Sequence, residues 1–159
     1  KRAVVKEELV VLTGDMVKAI ILNQFIYWSE RVNDFDKFIT EEKLRGEQAG
    51  TEINIDYTNG WIYKSAEELS EETMLKMSAS SIRKHLKELI DKGWLLERTN
   101  PIHKWDRTKQ YRVNLLKIYN DLWELGYVLQ DYKVPFTKTE TPFSNSKNAF
   151  SKRENGVSN

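Results

Sequence analysis

Arg83, Lys84 and Lys87 recur at helical spacing in SSIRKHLKELIDKG (80–93), and Arg98, His103, Lys104, Arg107 and Lys109 follow in the next stretch. These side chains suit non-covalent chemistry on a polyanion. Arg can bond a guanine edge or a phosphate through two donors, and Lys reaches guanine or phosphate. A helix N-terminus carrying Ser80 and Ser81 favours phosphate. Covalent chemistry finds little footing. The chain has no Cys and two His, His85 and His103, and no metal-ligand spacing emerges from them. Thr13-Gly14-Asp15 is too little for a phosphate loop. The pairs Glu67-Glu68 and Glu71-Glu72 fit the first turn and exposed face of a helix, where the dipole favours acids. The expectation is a protein that is not an enzyme, with no catalytic residue, no metal and no cofactor.

Charge is distributed unevenly. Residues 1–75 carry nine Lys/Arg against fifteen Asp/Glu, net −6, and residues 76–117 carry eleven against four, net +7. The net charge of the whole chain, +1, hides this block. A polyanion responds to a local patch and not to an average.

The elements that must position these cations can be read from period and punctuation. Leu9–Leu12 is a short apolar run, read as a strand or an entry segment. Asp15 caps a helix from Met16 to Val32 that is apolar on most sides, a pattern of a central helix or an oligomer contact. Residues 34–48 are charged and read as a second, separate helix or a mobile insertion, ended by Gly50. Ile53 and Ile55 alternate with polar residues, Asn59-Gly60 fits a type I′ turn, and Trp61–Tyr63 returns, which together read as a hairpin. Ser65 and Glu68 form a capping box for a helix over 66–74. Ser78 caps the next helix, 79–92, which Gly93 closes. Trp94–Arg98 is a strand, 99–109 a cationic loop and 110–114 the returning strand. Leu115, Ile118, Tyr119, Leu122, Trp123 and Tyr127 give a last amphipathic helix ending near Gly126.

Helix, turn, helix, strand, basic loop, strand is the order of a winged helix-turn-helix. The expected fold is α+β, mainly α, with added N- and C-terminal helices and a small hairpin or wing. On the helix over 79–92, Ile82, Leu86, Leu89 and Ile90 share one face and Ser80, Arg83, Lys84 and Lys87 the other. That helix is the candidate for the major groove. The wing, about 98–110, is the candidate for the backbone or minor groove. Trp94 is expected to pack under the wing. Trp105 reads first as an anchor of the loop and second as a ring that stacks on a nucleotide. The domain is expected to span 1–133. Residues 134–159 repeat with Phe136, Phe143, Phe150 and Val157 at every seventh position. They read as a disordered linker, or as a motif that docks a partner multivalently.

Four pieces, Trp61-x-Tyr63, Ser78-x-x-Ser81-Ile82-Arg83-x-x-Leu86, Lys92-Gly93-Trp94-Leu95 and Asp106-Arg107-Thr108-x-Gln110-Tyr111-Arg112-Val113, are similar to winged-helix replication proteins. These are the replisome-organiser or replication-initiator type of Gram-positive phages, plasmids and integrated elements. The apolar helix from Ala19 to Trp28 adds to the resemblance, which covers about residues 9–120. It implies binding of origin DNA and recruitment of helicase-loading proteins. Two departures stand out. Lys76 occupies a turn position where such proteins often carry Gly. A large C-terminal domain is absent, so the chain, which begins at Lys1, reads as a fragment or the N-terminal part.

The expected partner is double-stranded DNA, with a homodimer contact as a second use of the apolar helices. A transcriptional regulator or a protein-interaction module of the same fold is the alternative. No apolar run approaches the roughly 20 residues of a membrane span, nothing at the N-terminus resembles a signal peptide, and the lack of Cys suits a cytoplasmic location.

Overall fold

The computed structural model describes residues 1–127; the expected repeat tail lies outside them. The chain divides into two units, Lys1–Asn114 and a second from Leu115 onward, and it is α+β and mainly helical.

The first unit opens with α1 (Glu7–Thr13), which ends on Gly14 at φ 72°. Leu9–Leu12, read as a strand or an entry segment, is therefore helical. Glu7 and Glu8 stand in its first turn, where the dipole favours them. Leu9 alone of its residues is buried, and the Thr13 hydroxyl donates back to the Leu9 carbonyl at 2.8 Å. The chain then turns through 117° into α2 (Met16–Ala49), whose first turn is closed by the Asp15 carboxylate accepting from Lys18 N at 3.0 Å.

α2 is one helix of 34 residues, about 50 Å long at 1.5 Å per residue. The separate helix expected over 34–48 does not exist, because no Gly or Pro interrupts 16–45 and the charged positions lie on exposed faces. Gly50, at φ 73°, ends α2 as expected.

The segment after Gly50 runs back along this helix. Thr51 N bonds the Gly46 carbonyl at 2.7 Å, and a Cβ placed on Gly46 would stand 2.6 Å from the Thr51 oxygen and 2.7 Å from Ile53 Cγ1. The Asp36 carboxylate accepts from Thr58 N at 2.7 Å, Thr58 Oγ1 at 2.8 Å and Asn59 N at 3.0 Å. The expected turn at Asn59-Gly60 is present, with φ 52° and 85° and Trp61 N bonded to the Thr58 carbonyl at 2.9 Å. The expected hairpin is not. Residues 51–57 are docked on α2 and form no strand, and β1 (Trp61–Tyr63) finds its partner elsewhere.

Ser65 then accepts from Glu68 N at 3.1 Å and starts α3 (Ala66–Glu72), two residues shorter than expected. The connection to α4 (Ala79–Asp91) holds Met74 at φ 58° and Lys76 at φ 51°, so Lys76 takes the left-handed conformation that glycine adopts more cheaply. The Ser70 hydroxyl donates to the Met77 carbonyl at 2.8 Å and helps fix this turn. Ser78 caps α4 by accepting from Ser81 N at 3.2 Å. Gly93, at φ 81°, turns the chain into β2 (Leu95–Arg98), which β3 (Gln110–Val113) follows after the loop.

Both edge strands pair antiparallel with β3, giving the order β1-β3-β2. Strand alternation sends Ile62, Leu95, Tyr111 and Val113 inward, where Tyr111 meets Phe25 of α2 with ring centroids 5.3 Å apart. Ile21, Leu22, Leu69, Ile82, Leu86 and Leu89 complete a core shared by α2, α3, α4 and the sheet.

The second unit is described by α5 (Leu115–Glu124), an amphipathic helix with Ile118, Tyr119 and Leu122 buried and an ion pair between Lys117 and Asp121 at 2.6 Å. No single helix among the described residues is long and apolar enough to cross a membrane.

Candidate nucleic-acid interface

α4 is held by its buried face and by an ion pair with Lys18 at the start of α2. Lys18 pairs with Glu88 at 2.5 Å, and His85 Nδ1 lies 3.9 Å from the Asp15 carboxylate. The hydrogen bond from Lys18 holds the Glu88 carboxyl below its ordinary value. Ile82, Leu86 and Leu89 are buried, whereas Ile90, expected on the same face, is partly exposed and lines a groove. Helical spacing leaves Ser80, Arg83, Lys84 and Lys87 on the exposed side.

Between α4 and the β2–β3 loop lies an open groove of about 690 Å³. Arg83, Leu86, Lys87 and Ile90 form its α4 wall, and Glu97, Arg107, Thr108, Lys109 and Tyr111 form the wall opposite. The start of α3, with Lys64 and Glu67, closes one end. Four of the cations singled out in the sequence, Arg83, Lys87, Arg107 and Lys109, thus share one concave site. They come from segments 20 residues and more apart in the chain.

The groove's acids are engaged by its own cations. Glu67 meets Arg83 at 3.4 Å and Glu97 meets Lys109 at 3.6 Å. Both pairs are solvent-exposed, so each contributes roughly 0–1 kcal/mol and yields readily to a phosphate. No ion pair involves Lys87 or Arg107 among the described residues. Lys64 is committed elsewhere: it pairs with Glu72 and lies 4.1 Å from the centre of the Trp28 ring. In the wall opposite α4, burial and then the nearby Glu97 charge push the Tyr111 hydroxyl up to about 12. The hydroxyl stays protonated, and the ring behind it packs on Phe25.

The other expected residues lie outside the groove. Ser80 and Lys84 are exposed on the outer side of α4, and Ser81 bonds within the cap, 2.9 Å from the Ser78 hydroxyl. Arg98 is on the sheet face opposite Glu97, because neighbouring strand residues alternate. There its Nε donates to Gln110 Oε1 at 2.8 Å and its guanidinium stacks 4.1 Å from the Trp61 centroid. His103 and Lys104 are exposed in the loop between the strands. Trp94 is buried, but Trp105 is 80% exposed, which speaks against the first reading of it as an anchor of the loop.

The loop's anchor is a pair the sequence does not announce. Tyr63 of β1 donates to Asp106 Oδ2 at 2.7 Å, and Asp106 Oδ1 accepts from Thr108 N at 3.0 Å. Donation from Tyr63, then the bond from Thr108 N, holds the Asp106 carboxyl below its ordinary value. The Asp106-x-Thr108 half is an Asx turn with a visible sequence signature; the Tyr63 half depends on β1 lying beside β3, which no local signal gives. No cluster of three or more His, Asp or Glu placed to hold a metal occurs among the described residues.

Comparison with protein-family models, with curated proteins and with solved structures found no significant match.

Proposed function

We propose that this chain binds double-stranded DNA as a winged helix-turn-helix, with α4 in the major groove and the 99–109 loop as the wing along the backbone. The observation that carries this reading is the groove that brings Arg83 and Lys87 of α4 together with Arg107 and Lys109 of the wing. A solvated basic helix face needs no second basic wall opposite it; a polyanion site does. The order α2, β1, α3, turn, α4, β2, loop, β3, with β3 central in the sheet, supports the winged-helix assignment. The pairing of the groove's acids with its own cations supports a site that accepts phosphate by exchanging weak partners. The domain acts by binding and not by catalysis.

The role is replication initiation on a phage, plasmid or other mobile element, with helicase-loading proteins as further partners. This part rests on the sequence resemblance. An origin-plasmid replication assay tests it: loss of plasmid copying without the intact protein supports it, and unchanged copying with altered transcription favours a regulator instead.

DNA binding itself is tested by fluorescence anisotropy of a mixed-sequence duplex across a salt series. Four phosphate contacts give a slope of log K against log salt of about −3.6. No binding at low salt, or binding indifferent to salt, contradicts the reading.

A further inference from the structure

Ile102 and Trp105, at 73% and 80% exposure, are the two most exposed large apolar residues described in the molecule. They share the tip of one loop. An exposed Trp on a slack loop would mean little, but this loop is built. Asn100 Oδ1 accepts from Ile102 N at 3.0 Å and His103 N at 3.1 Å. Asp106 N bonds the His103 carbonyl at 3.0 Å, which makes a tight turn of 103–106. The Asp106 side chain is tied to Tyr63 and Thr108 N on the sheet. The framework thus holds both flanks of the tip and leaves the Trp105 ring in solvent, touched by His103 with ring centroids 5.5 Å apart.

The charge around the tip selects the occupant. Lys104 and Arg107 are the cations next to it in the chain, Lys109 further along pairs with Glu97, and Asp106, the one carboxylate of 99–109, is turned back onto Tyr63 and Thr108. Arg107 also lines the groove, so the tip continues the surface assigned to DNA. An apolar protein surface would have to take the neighbouring charges of Lys104 and Arg107 out of water; a nucleic acid meets the ring with a base and the cations with phosphates. In a closed duplex each base face is already stacked. A ring as large as indole gains most where a base is unpaired or a step opens easily.

We infer that Trp105, with Ile102 beside it, stacks on an exposed base and makes the domain prefer a junction between duplex and single-stranded DNA over a closed duplex. This inference rests on the duplex-binding reading above and assigns the wing a role in marking or holding open the end of a melted segment.

The test uses the full chain, a blunt duplex and a forked duplex of the same paired length. The fork carries 2-aminopurine at the first unpaired position. At about 50 mM salt, where sequence-independent binding is measurable, the wild-type chain should bind the fork about tenfold more tightly than the blunt duplex. The 2-aminopurine fluorescence should change on binding. Trp105→Ala should remove the preference and the fluorescence change while altering blunt-duplex affinity by less than about threefold. Trp105→Phe should keep most of both. Equal binding of fork and blunt duplex by the wild-type chain, or an undiminished preference in Trp105→Ala, overturns the inference and leaves duplex binding standing. Failure of the wild-type chain to bind either DNA removes the duplex reading and this inference with it.

Discussion

The guanidinium of Arg98, on one edge strand, lies 4.1 Å from the centre of the Trp61 ring on the other edge strand. The order β1-β3-β2 puts β3 between them, and Arg98 bonds Gln110 of β3 on the way across. One side chain thus ties all three strands together on the face away from the groove. A cation that the sequence places in the wing is spent on the sheet.

Arg98→Ala should therefore lower stability by about 1–2 kcal/mol, the range of a partly desolvated cation–π contact with a charge-assisted hydrogen bond. Urea unfolding measures this. Arg98→Lys should lose most of the same stability, because an ammonium cannot stack as a plane or reach both partners. A DNA contact would behave differently: Lys would rescue binding and Ala would leave unfolding unchanged.

Tyr111 gives a pH signature. Its hydroxyl sits at about 12 in the folded chain against an ordinary 10.0. Above pH 10 the unfolded chain loses this proton while the folded chain keeps it. The stability contributed is complete below pH 10 and falls as pH rises toward 12, by about 1 kcal/mol per unit. Tyr111→Phe should flatten that part of the alkaline stability curve, read from urea midpoints between pH 9 and 12. An unchanged slope would place the titration elsewhere.

Gly46 reverses a helix rule. Glycine inside a helix ordinarily costs up to about 1 kcal/mol relative to alanine. Here the added Cβ would come within 2.6 Å of a backbone oxygen, which cannot swing aside as a side-chain end can. Gly46→Ala should destabilise the chain and loosen 51–58 from α2, seen as faster amide exchange at Thr51. A stabilised variant would mean that 51–53 does not lie on the helix in solution.

Much of this architecture is legible because its signals are local. Asp15, Ser65 and Ser78 announce helix starts, Gly50 and Gly93 announce ends, and the apolar period of 82, 86 and 89 orients α4. What the sequence hides depends on distant partners. Nothing near Ile53 says that its neighbours will dock on α2 through Asp36 and Gly46 instead of pairing with Trp61–Tyr63. Nothing near Arg98 says that Trp61 will lie across the sheet from it. The groove is intermediate: both cationic segments are visible, but their meeting across Tyr111 requires the β2–β3 register. The exposure of Trp105 runs against the commoner fate of a tryptophan, which is burial. The bonds of Asn100 and Asp106 already anchor the loop and leave the indole free of that work.

The central claim is that the groove's four cations, and not the charge of the whole chain, hold DNA. The most direct measurement compares two quadruple variants with the same change in net charge. One replaces Arg83, Lys87, Arg107 and Lys109 with Ala. The other replaces Arg31, Lys37, Lys43 and Arg45, spread along α2 beyond its buried start. Each is checked for folding by circular dichroism, and duplex affinity is followed against salt. The groove variant should lose at least about 100-fold in affinity at low salt, and its salt slope should shrink by about 3–4. The α2 variant should stay within about threefold of the wild-type chain. Equal losses in the two would contradict the account, and so would a groove variant that binds like the wild type.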